Sequence, residues 1–268
     1  MTSPLVDIGV NLTNRAFERD LDDVLRRAGA ESVTRMVVTG VSVSGSRSAR
    51  DLAARHPGTL WATAGVHPHN TRCCTPRTID ELRDVARDER VVAIGECGLD
   101  FDRNHSPRQV QLEWFERQVE LAIELGLPLF LHERNAAQEV VDVLTRHRSA
   151  IPRAVLHCFT GDRAALEAYL ELDLHVGITG WICDERRGTH LPELVREIAD
   201  DRLMVETDAP FLLPRTVRPK PRKGRNEPSL LPHVVAAIAA ATGRPTDAVA
   251  EATTRTAEHF FGIGTRSG

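Results

Sequence analysis

Val91-Val92-Ala93-Ile94-Gly95 is an unbroken apolar run. Ser106-Pro107 then opens a stretch with helical apolar spacing that lasts to Leu125, and Gly126-Leu127-Pro128 leads into a second run, Leu129-Phe130-Leu131. Neither run alternates with the period of two that marks a half-solvated strand, so both read as parallel strands covered on both faces. Ser106 before Pro107 reads as an N-cap followed by the first helical position, and Gly126 as the helix end. The three pieces make a βαβ unit, and the pattern repeats outward in both directions. Strands are read at residues 5–10, 35–39, 60–65, 91–95, 128–131, 154–156, 175–178 and 203–205, with helices at 44–55, 79–87, 107–125 and 230–242. Eight βα units in 268 residues predict a (β/α)8 TIM barrel forming one domain over residues 1–268. An open doubly wound sheet is the alternative, but no G-x-G-x-x-G follows any strand, so its dinucleotide-binding version has no support.

Composition narrows the function. A hydrophobic fraction of 41% fills a core and rules out wholesale disorder. With 34 basic against 38 acidic residues, the net charge of −4 argues against coating nucleic acid by bulk charge and leaves room for a local basic site. Five cysteines, odd in number and without C-x-x-C spacing, fit neither a disulfide framework nor a zinc knuckle, and point to a reducing compartment. The first seven residues carry no basic or apolar leader pattern. The longest apolar run, residues 234–241, falls far short of the roughly 20 that a membrane span needs. The expectation is a soluble cytoplasmic protein, a monomer without membrane attachment.

Polar residues cluster where the predicted strands end. Strand one runs into Asp7-Ile8-Gly9-Val10-Asn11, strand three into His67-Pro68-His69, and strand four into Glu96-Cys97-Gly98-Leu99-Asp100. Strand five runs into His132-Glu133-Arg134, strand six into His157-Cys158-Phe159, and strand eight into Glu206-Thr207-Asp208. In a barrel these ends meet on the face that carries active sites. Glu96, His132, His157 and Asp208 supply two carboxylates and two imidazoles, a donor set suited to Zn²⁺, Mn²⁺ or Mg²⁺. An ion with an open position lowers the pKa of bound water toward about 7 and makes a nucleophile at neutral pH. Glu206 and Asp208, two apart, are expected on the same side of their strand.

A second feature is the segment from Arg215 to Arg225, with six basic residues and no acidic one. It includes Lys220 and Lys223, the only two lysines in the chain. Lying just after strand eight, it is placed to neutralise phosphates, with Lys220, Arg222 and Lys223 as substrate-binding residues. Arg134 suits bidentate pairing with a phosphate, and His67 suits binding a substrate oxygen or protonating a leaving group. Asn226-Glu227-Pro228 reads as a helix start without chemistry.

Several of these segments together resemble the TatD family of metal-dependent deoxyribonucleases. They are Asp7-Ile8-Gly9-Val10-Asn11-Leu12-Thr13-Asn14, Ala64-Gly65-Val66-His67-Pro68-His69, and the run from Val92 to Phe101 that holds Gly95-Glu96-Cys97-Gly98-Leu99-Asp100. Later come Leu156-His157-Cys158-Phe159-Thr160-Gly161, Gly177-Ile178-Thr179-Gly180-Trp181, Glu206-Thr207-Asp208-Ala209-Pro210 and Arg225-Asn226-Glu227-Pro228, in order over nearly the whole chain. The resemblance implies a 3′→5′ exonuclease that acts on the 3′ ends of DNA, preferably single-stranded, and in some members RNA. It further implies Mg²⁺ or another divalent ion, Mn²⁺ and Zn²⁺ being the alternatives. Glu96, His132, His157 and Asp208 match the family's metal positions, and His67 and the basic loop match positions near the substrate. Many relatives open with Asp-x-His-x-His, whereas this chain has Gly9 and Asn11 at the two histidines. The expectation is therefore one firmly held ion and a second held only with substrate. Asn135 stands where relatives usually carry Asp, and removes a charge near the site.

The mechanism expected is attack of an activated water on the terminal phosphodiester. Asp208 accepts its proton or shares the ion, His67 and Arg134 stabilise the developing charge, and nucleoside 5′-monophosphates are released. The rival enzyme reading is a metal-dependent amidohydrolase or esterase, such as a D-aminoacyl-tRNA deacylase, since this barrel supports both chemistries. A barrel that binds nucleic acid without cutting it is the third.

Overall fold

The structure, a computed structural model, describes residues 3–264. Eight strands follow one another through a single sheet in chain order: β1 (Leu5–Val10), β2 (Val33–Val38), β3 (Leu60–Ala64), β4 (Val91–Asp100), β5 (Leu129–Arg134), β6 (Ala154–Leu156), β7 (His175–Ile178) and β8 (Leu203–Val205). Helices alternate with them: α1 (Leu21–Ala30), α2 (Val43–Arg55), α3 (Thr78–Ala86), α4 (Arg108–Leu125), α5 (Ala137–His147), α6 (Arg163–Glu171), α7 (Leu191–Leu194), α8 (Leu231–Thr242) and α9 (Thr246–Phe261). The β3–β4, β4–β5, β5–β6 and β7–β8 pairs are parallel. This is the (β/α)8 class that the sequence predicts. Among the described residues no helix is long and apolar enough to cross a membrane.

The chain divides into two compact units. The first combines the segment through Val37 with the segment from Val176 onward. Here β1 is buried at every position, and its end and the residue after it bond to the chain beyond β8: Asp208 N–H donates to Gly9 O at 2.9 Å and Asn11 N–H to Ala209 O at 2.8 Å. The first strand thus meets the last, as barrel closure requires. Helix α9 packs on both strands, and the buried Arg35 of β2 meets Glu258 of α9 at 2.5 Å.

The second unit, Val38–His175, carries β3 to β6. Helix α2 covers β3, its start capped by Ser42 Oγ accepting from Gly45 N–H at 3.0 Å. Helix α4 covers β4 with Trp114, Phe115 and Val119 and adds two buried glutamines on the same face, seven residues apart. Gln118 Oε1 accepts from Val66 N–H at 2.7 Å, and Gln111 Oε1 from Asp100 N–H at 2.9 Å. Each thereby clamps the backbone beside a polar strand end. Ser106 is not the N-cap that the Ser-Pro pair suggests; the cap position is Pro107 itself. The Ser106 hydroxyl is committed elsewhere, donating to His69 O at 3.0 Å and accepting from Arg72 N–H at 3.1 Å, so it ties α4 to the short turn Pro68–Cys73.

Strands β1, β6, β7 and β8 fall on the residues predicted for them, but β4 and β5 run on to Asp100 and Arg134. Glu96, Asp100 and His132 consequently stand on paired strands and not in loops.

Candidate metal centre

Two glycines explain how β4 and β5 stay paired across these residues. Gly95 (φ +148°) and Gly98 (φ +136°) lie opposite Phe130 and His132, with an irregularity in register between Gly95 and Cys97. A Cβ at Gly95 would overlap the Phe130 carbonyl oxygen, and one at Gly98 the His132 carbonyl oxygen. Only glycine combines that backbone conformation with so close an approach. The pairing brings Glu96 on β4 and His132 on β5 together, with His67 arriving from beyond β3 and His157 from beyond β6.

Three imidazoles converge on one carboxylate oxygen. Glu96 Oε1 lies 2.8 Å from His132 Nδ1, 2.9 Å from His157 Nε2 and 3.3 Å from His67 Nε2. Burial pushes the Glu96 carboxyl up, but the charges of His157 and His67 and the hydrogen bonds from His132 and His157 outweigh it and hold it well below the usual carboxylate range. His132 moves up despite burial, because Asp100 and Glu96 face its two sides. Burial moves His67 down. Its Nδ1 accepts from His69 N–H at 3.1 Å, which leaves the proton of the neutral ring on Nε2, facing Glu96.

Behind this group stands a second pair to which the sequence assigns no role. Asp100 Oδ2 lies 2.7 Å from His69 Nε2, and Asp100 Oδ1 accepts from the backbone of Asp102 and Arg103 at 3.1 and 2.9 Å. Burial pushes this carboxyl up, but His132, the Arg103 N–H and His69 outweigh it and hold it well below the usual range. His132 Nε2 faces it at 3.6 Å, too far for a hydrogen bond, and has no other partner among the described residues although the atom is buried. The signal for Asp100 and His69 is their place in the same strand-end motifs. Neither spacing nor residue type separates a ligand from its support.

A divalent ion fits this donor set. His67, Glu96 and His132 present ligand atoms all within 4.8 Å of one another. Three ring nitrogens around one carboxylate are the borderline donors that Zn²⁺ favours and that Mn²⁺ and Mg²⁺ accept with oxygen ligands added. A carboxylate beside the far nitrogen of a ligand histidine, as Asp100 is to His132, is the usual way such a ring is oriented. The structure therefore adds His67 to the group that the sequence names.

Asp208 belongs to the first unit. It lies beyond β8 with φ +52°, so strand periodicity does not carry through to it from Glu206, and Asn11 Nδ2 donates to its Oδ1 at 2.8 Å. Asn11 thus orients this carboxylate. Asn226, to which the sequence assigns no chemistry, is fully buried and donates from Nδ2 to Thr207 O at 2.9 Å and Phe211 O at 2.7 Å, holding the segment on both sides of Asp208.

Asp7 is fully buried and accepts from Thr207 N–H at 2.9 Å, with Thr207 Oγ1 at 2.5 Å. Burial pushes its carboxyl up to about 8 against the lowering hydrogen bonds of Thr207, and Glu206 adds to the rise. The folded chain therefore keeps a proton that the unfolded chain loses near pH 4, and Asp7's contribution to stability is lost as pH rises toward 8. Asp7→Asn, which keeps the shape without the titration, is expected to gain stability relative to the parent by up to about 1.4 kcal/mol per pH unit across that window. Denaturant unfolding at pH 5 and 7.5 checks this, and an unchanging difference between the two proteins refutes it.

The other predicted residues are less concentrated. Arg134, half-exposed at the end of β5, pairs with Asp102 at 3.1 Å. Glu133 turns away to structural partners, accepting from Ala136 N–H at 2.8 Å and Tyr169 OH at 3.0 Å. Asn135 sits at φ +51°, a turn position that asparagine tolerates. Of the basic loop, Lys220 and Lys223 are exposed, while the side chain of Arg222 lies outside the described residues. Arg215 and Arg225 are already paired, with Glu185 at 2.7 Å and with Asp20 and Glu227 at 2.7 and 2.6 Å. The six loop charges are therefore not all available to a ligand.

Comparison with known proteins matches a family model described as TatD related DNase over residues 6–262. The chain is 48% identical over 257 residues to the 3′-5′ ssDNA/RNA exonuclease TatD of Erwinia billingiae (strain Eb661), covering 96% of this chain and 98% of that protein. It is 46% identical to the protein of the same name from Klebsiella pneumoniae (strain 342), over 97% and 98%. Among solved structures, the TatD homolog YJJV from Escherichia coli k12 superposes with a TM-score of 0.88 at 24% identity, over 97% of this chain and 98% of that one.

Proposed function

Since the chain belongs to the TatD-related DNase family, we propose that it is a divalent-metal-dependent hydrolase. Its reaction is 3′→5′ exonucleolytic hydrolysis of single-stranded DNA and RNA, releasing nucleoside 5′-monophosphates. The observation that carries this reading is the convergence of His67, His132 and His157 on Glu96 Oε1, with the buried His132 Nε2 left without a hydrogen bond. Relatives over nearly the full length bear the name of that activity.

Glu96, His132 and His157 would hold the ion; Mg²⁺ is the first candidate, with Mn²⁺ and Zn²⁺ the alternatives. When bound, the ion supplies Lewis acidity and positive charge at the phosphate to be cut. The remaining work falls to the chain. Asp100 keeps His132 in one orientation, and His67 offers its Nε2–H to a substrate oxygen, its lowered pKa suiting a neutral donor. Asn11 keeps the Asp208 carboxylate turned to accept a proton. Arg134 and the basic residues Lys220, Arg222 and Lys223 take phosphates. The reading extends to a cytoplasmic monomer acting as one domain.

The test is a single-stranded oligonucleotide labelled at its 5′ end, incubated with Mg²⁺, Mn²⁺ or Zn²⁺ and with EDTA. Glu96→Ala/His132→Ala protein, purified identically, controls for contaminating nuclease. A ladder shortening from the 3′ end, dependent on metal and abolished in the variant, is expected; intact DNA under every ion overturns the reading. Replacing Lys220 and Lys223 by alanine is expected to reduce the slope of log affinity against log salt by about 0.7 for each single-strand phosphate that the two lysines neutralise. An unchanged slope removes the loop from the substrate site.

A further inference from the structure

Phe211 is the large hydrophobic side chain that the described residues leave exposed, at 53%. A single exposed aromatic is ordinary on a protein surface, but this one is held in place. Its N–H donates to Asp208 O at 3.0 Å, and its carbonyl accepts from the buried Asn226 at 2.7 Å. Asp208 on one side and Leu212 on the other both sit in the left-handed region, at φ +52° and +53°. That conformation is unfavourable for residues with a Cβ and persists only where the surroundings impose it. The backbone is thus constrained on both sides of an apolar ring turned to water.

Leu212, the chain neighbour of Phe211, helps line a cleft of about 450 Å³ together with Pro214 and the cations Arg187, Arg218 and Lys220, with Arg215 already paired to Glu185 at 2.7 Å and Asp184 as the one carboxylate of the lining. Asp184 is itself engaged by the backbone N–H of Arg186 at 2.9 Å and by the Arg187 side chain at 3.2 Å. The Arg187 guanidinium also lies 4.2 Å over the Trp181 ring and is therefore pre-positioned at the cleft. A fixed aromatic face beside a cationic cleft matches a base followed by its phosphates, and matches neither a neutral small molecule nor a cation.

We infer that Phe211 is the stacking platform for the 3′-terminal nucleobase of the single strand, with the Arg187–Arg218–Lys220 cleft taking backbone phosphates. Phe211 is a positioning residue, one turn from Asp208, and stacks on the face that every nucleobase presents, so it favours unpaired ends without choosing a sequence. This rests on the exonuclease reading above and adds a specificity element to it.

The experiment pairs Phe211→Ala, Phe211→Leu and Phe211→Trp with two oligonucleotides, one normal and one with an abasic 3′-terminal nucleotide, measuring KM and kcat for removal of the last nucleotide. Stacking predicts that Phe211→Ala and Phe211→Leu raise KM about tenfold on the normal oligonucleotide, a typical loss for one stacked base. The parent and Phe211→Trp are expected to stay within about twofold of one another. On the abasic oligonucleotide all four proteins should converge. A defect of Phe211→Ala that persists unchanged on the abasic end, or full rescue by leucine, overturns the platform while leaving the exonuclease intact. Failure of the parent protein to shorten either oligonucleotide overturns both.

Discussion

Glu96→Gln is expected to lower kcat/KM for single-stranded DNA at least about 10³-fold, beyond the roughly 10–100-fold loss typical of groups that only orient a metal ligand. The reason is the position of one atom. Glu96 Oε1 is the point on which His67, His132 and His157 converge, and Gln replaces its charge with a dipole while keeping its shape. The three rings then have no anion in common, and a divalent ion loses the carboxylate that makes its binding favourable. Titration calorimetry with Mn²⁺ reads the same loss without any turnover. Because the cluster acts as a unit, adding His132→Ala to Glu96→Gln is expected to cost little more. Asp100→Asn, which weakens the support behind His132 and the contact with His69, should fall in the 10–100-fold range. Parent-like shortening of DNA by Glu96→Gln would remove the cluster from the reaction.

Gly98→Ala is expected to destabilise the fold by about 2–5 kcal/mol, through a strained backbone and an overpacked contact. The residue holds φ +136° opposite His132, and an added Cβ would overlap the His132 carbonyl oxygen. The only relief is for β4 to move off β5, which also carries Glu96 away from His132. On the order of 10 °C should be lost from Tm, since about 1 kcal/mol shifts a chain of this size by a few degrees. The control is Gly29→Ala in α1, where a Cβ meets nothing within 4 Å and the same chemical change should stabilise by about 0.5–1 kcal/mol. Equal effects at the two positions would show that close strand approach plays no part.

Much of the architecture is legible in the amino-acid sequence. Apolar runs such as residues 5–10 and 175–178 coincide with β1 and β7, because strands buried on both faces leave an unambiguous trace in composition. The continuation of β4 and β5 is not legible. Gly95-Glu96-Cys97-Gly98 reads as a loop by residue type, and it is a strand because its glycines let two backbones approach. Ser106 misleads for a similar reason: its neighbour Pro107 announces a helix, while its hydroxyl answers to His69 and Arg72, more than thirty residues away in the chain.

The chemistry divides along the same line. Glu96, His132 and His157, which the structure brings together, stand out in the sequence because ligand-capable residues end neighbouring apolar runs. Tertiary structure alone shows that His67, Glu96, His132 and His157 form one close group, that His132 is backed by Asp100, and that Glu133 faces Tyr169. It also shows that Asn226, silent in the sequence, holds the loop that presents Asp208 and Phe211. Residue type records which donors and charges a chain possesses. Direction, burial and the choice of partner are set by packing between segments far apart in the chain, and that information is carried by no local pattern.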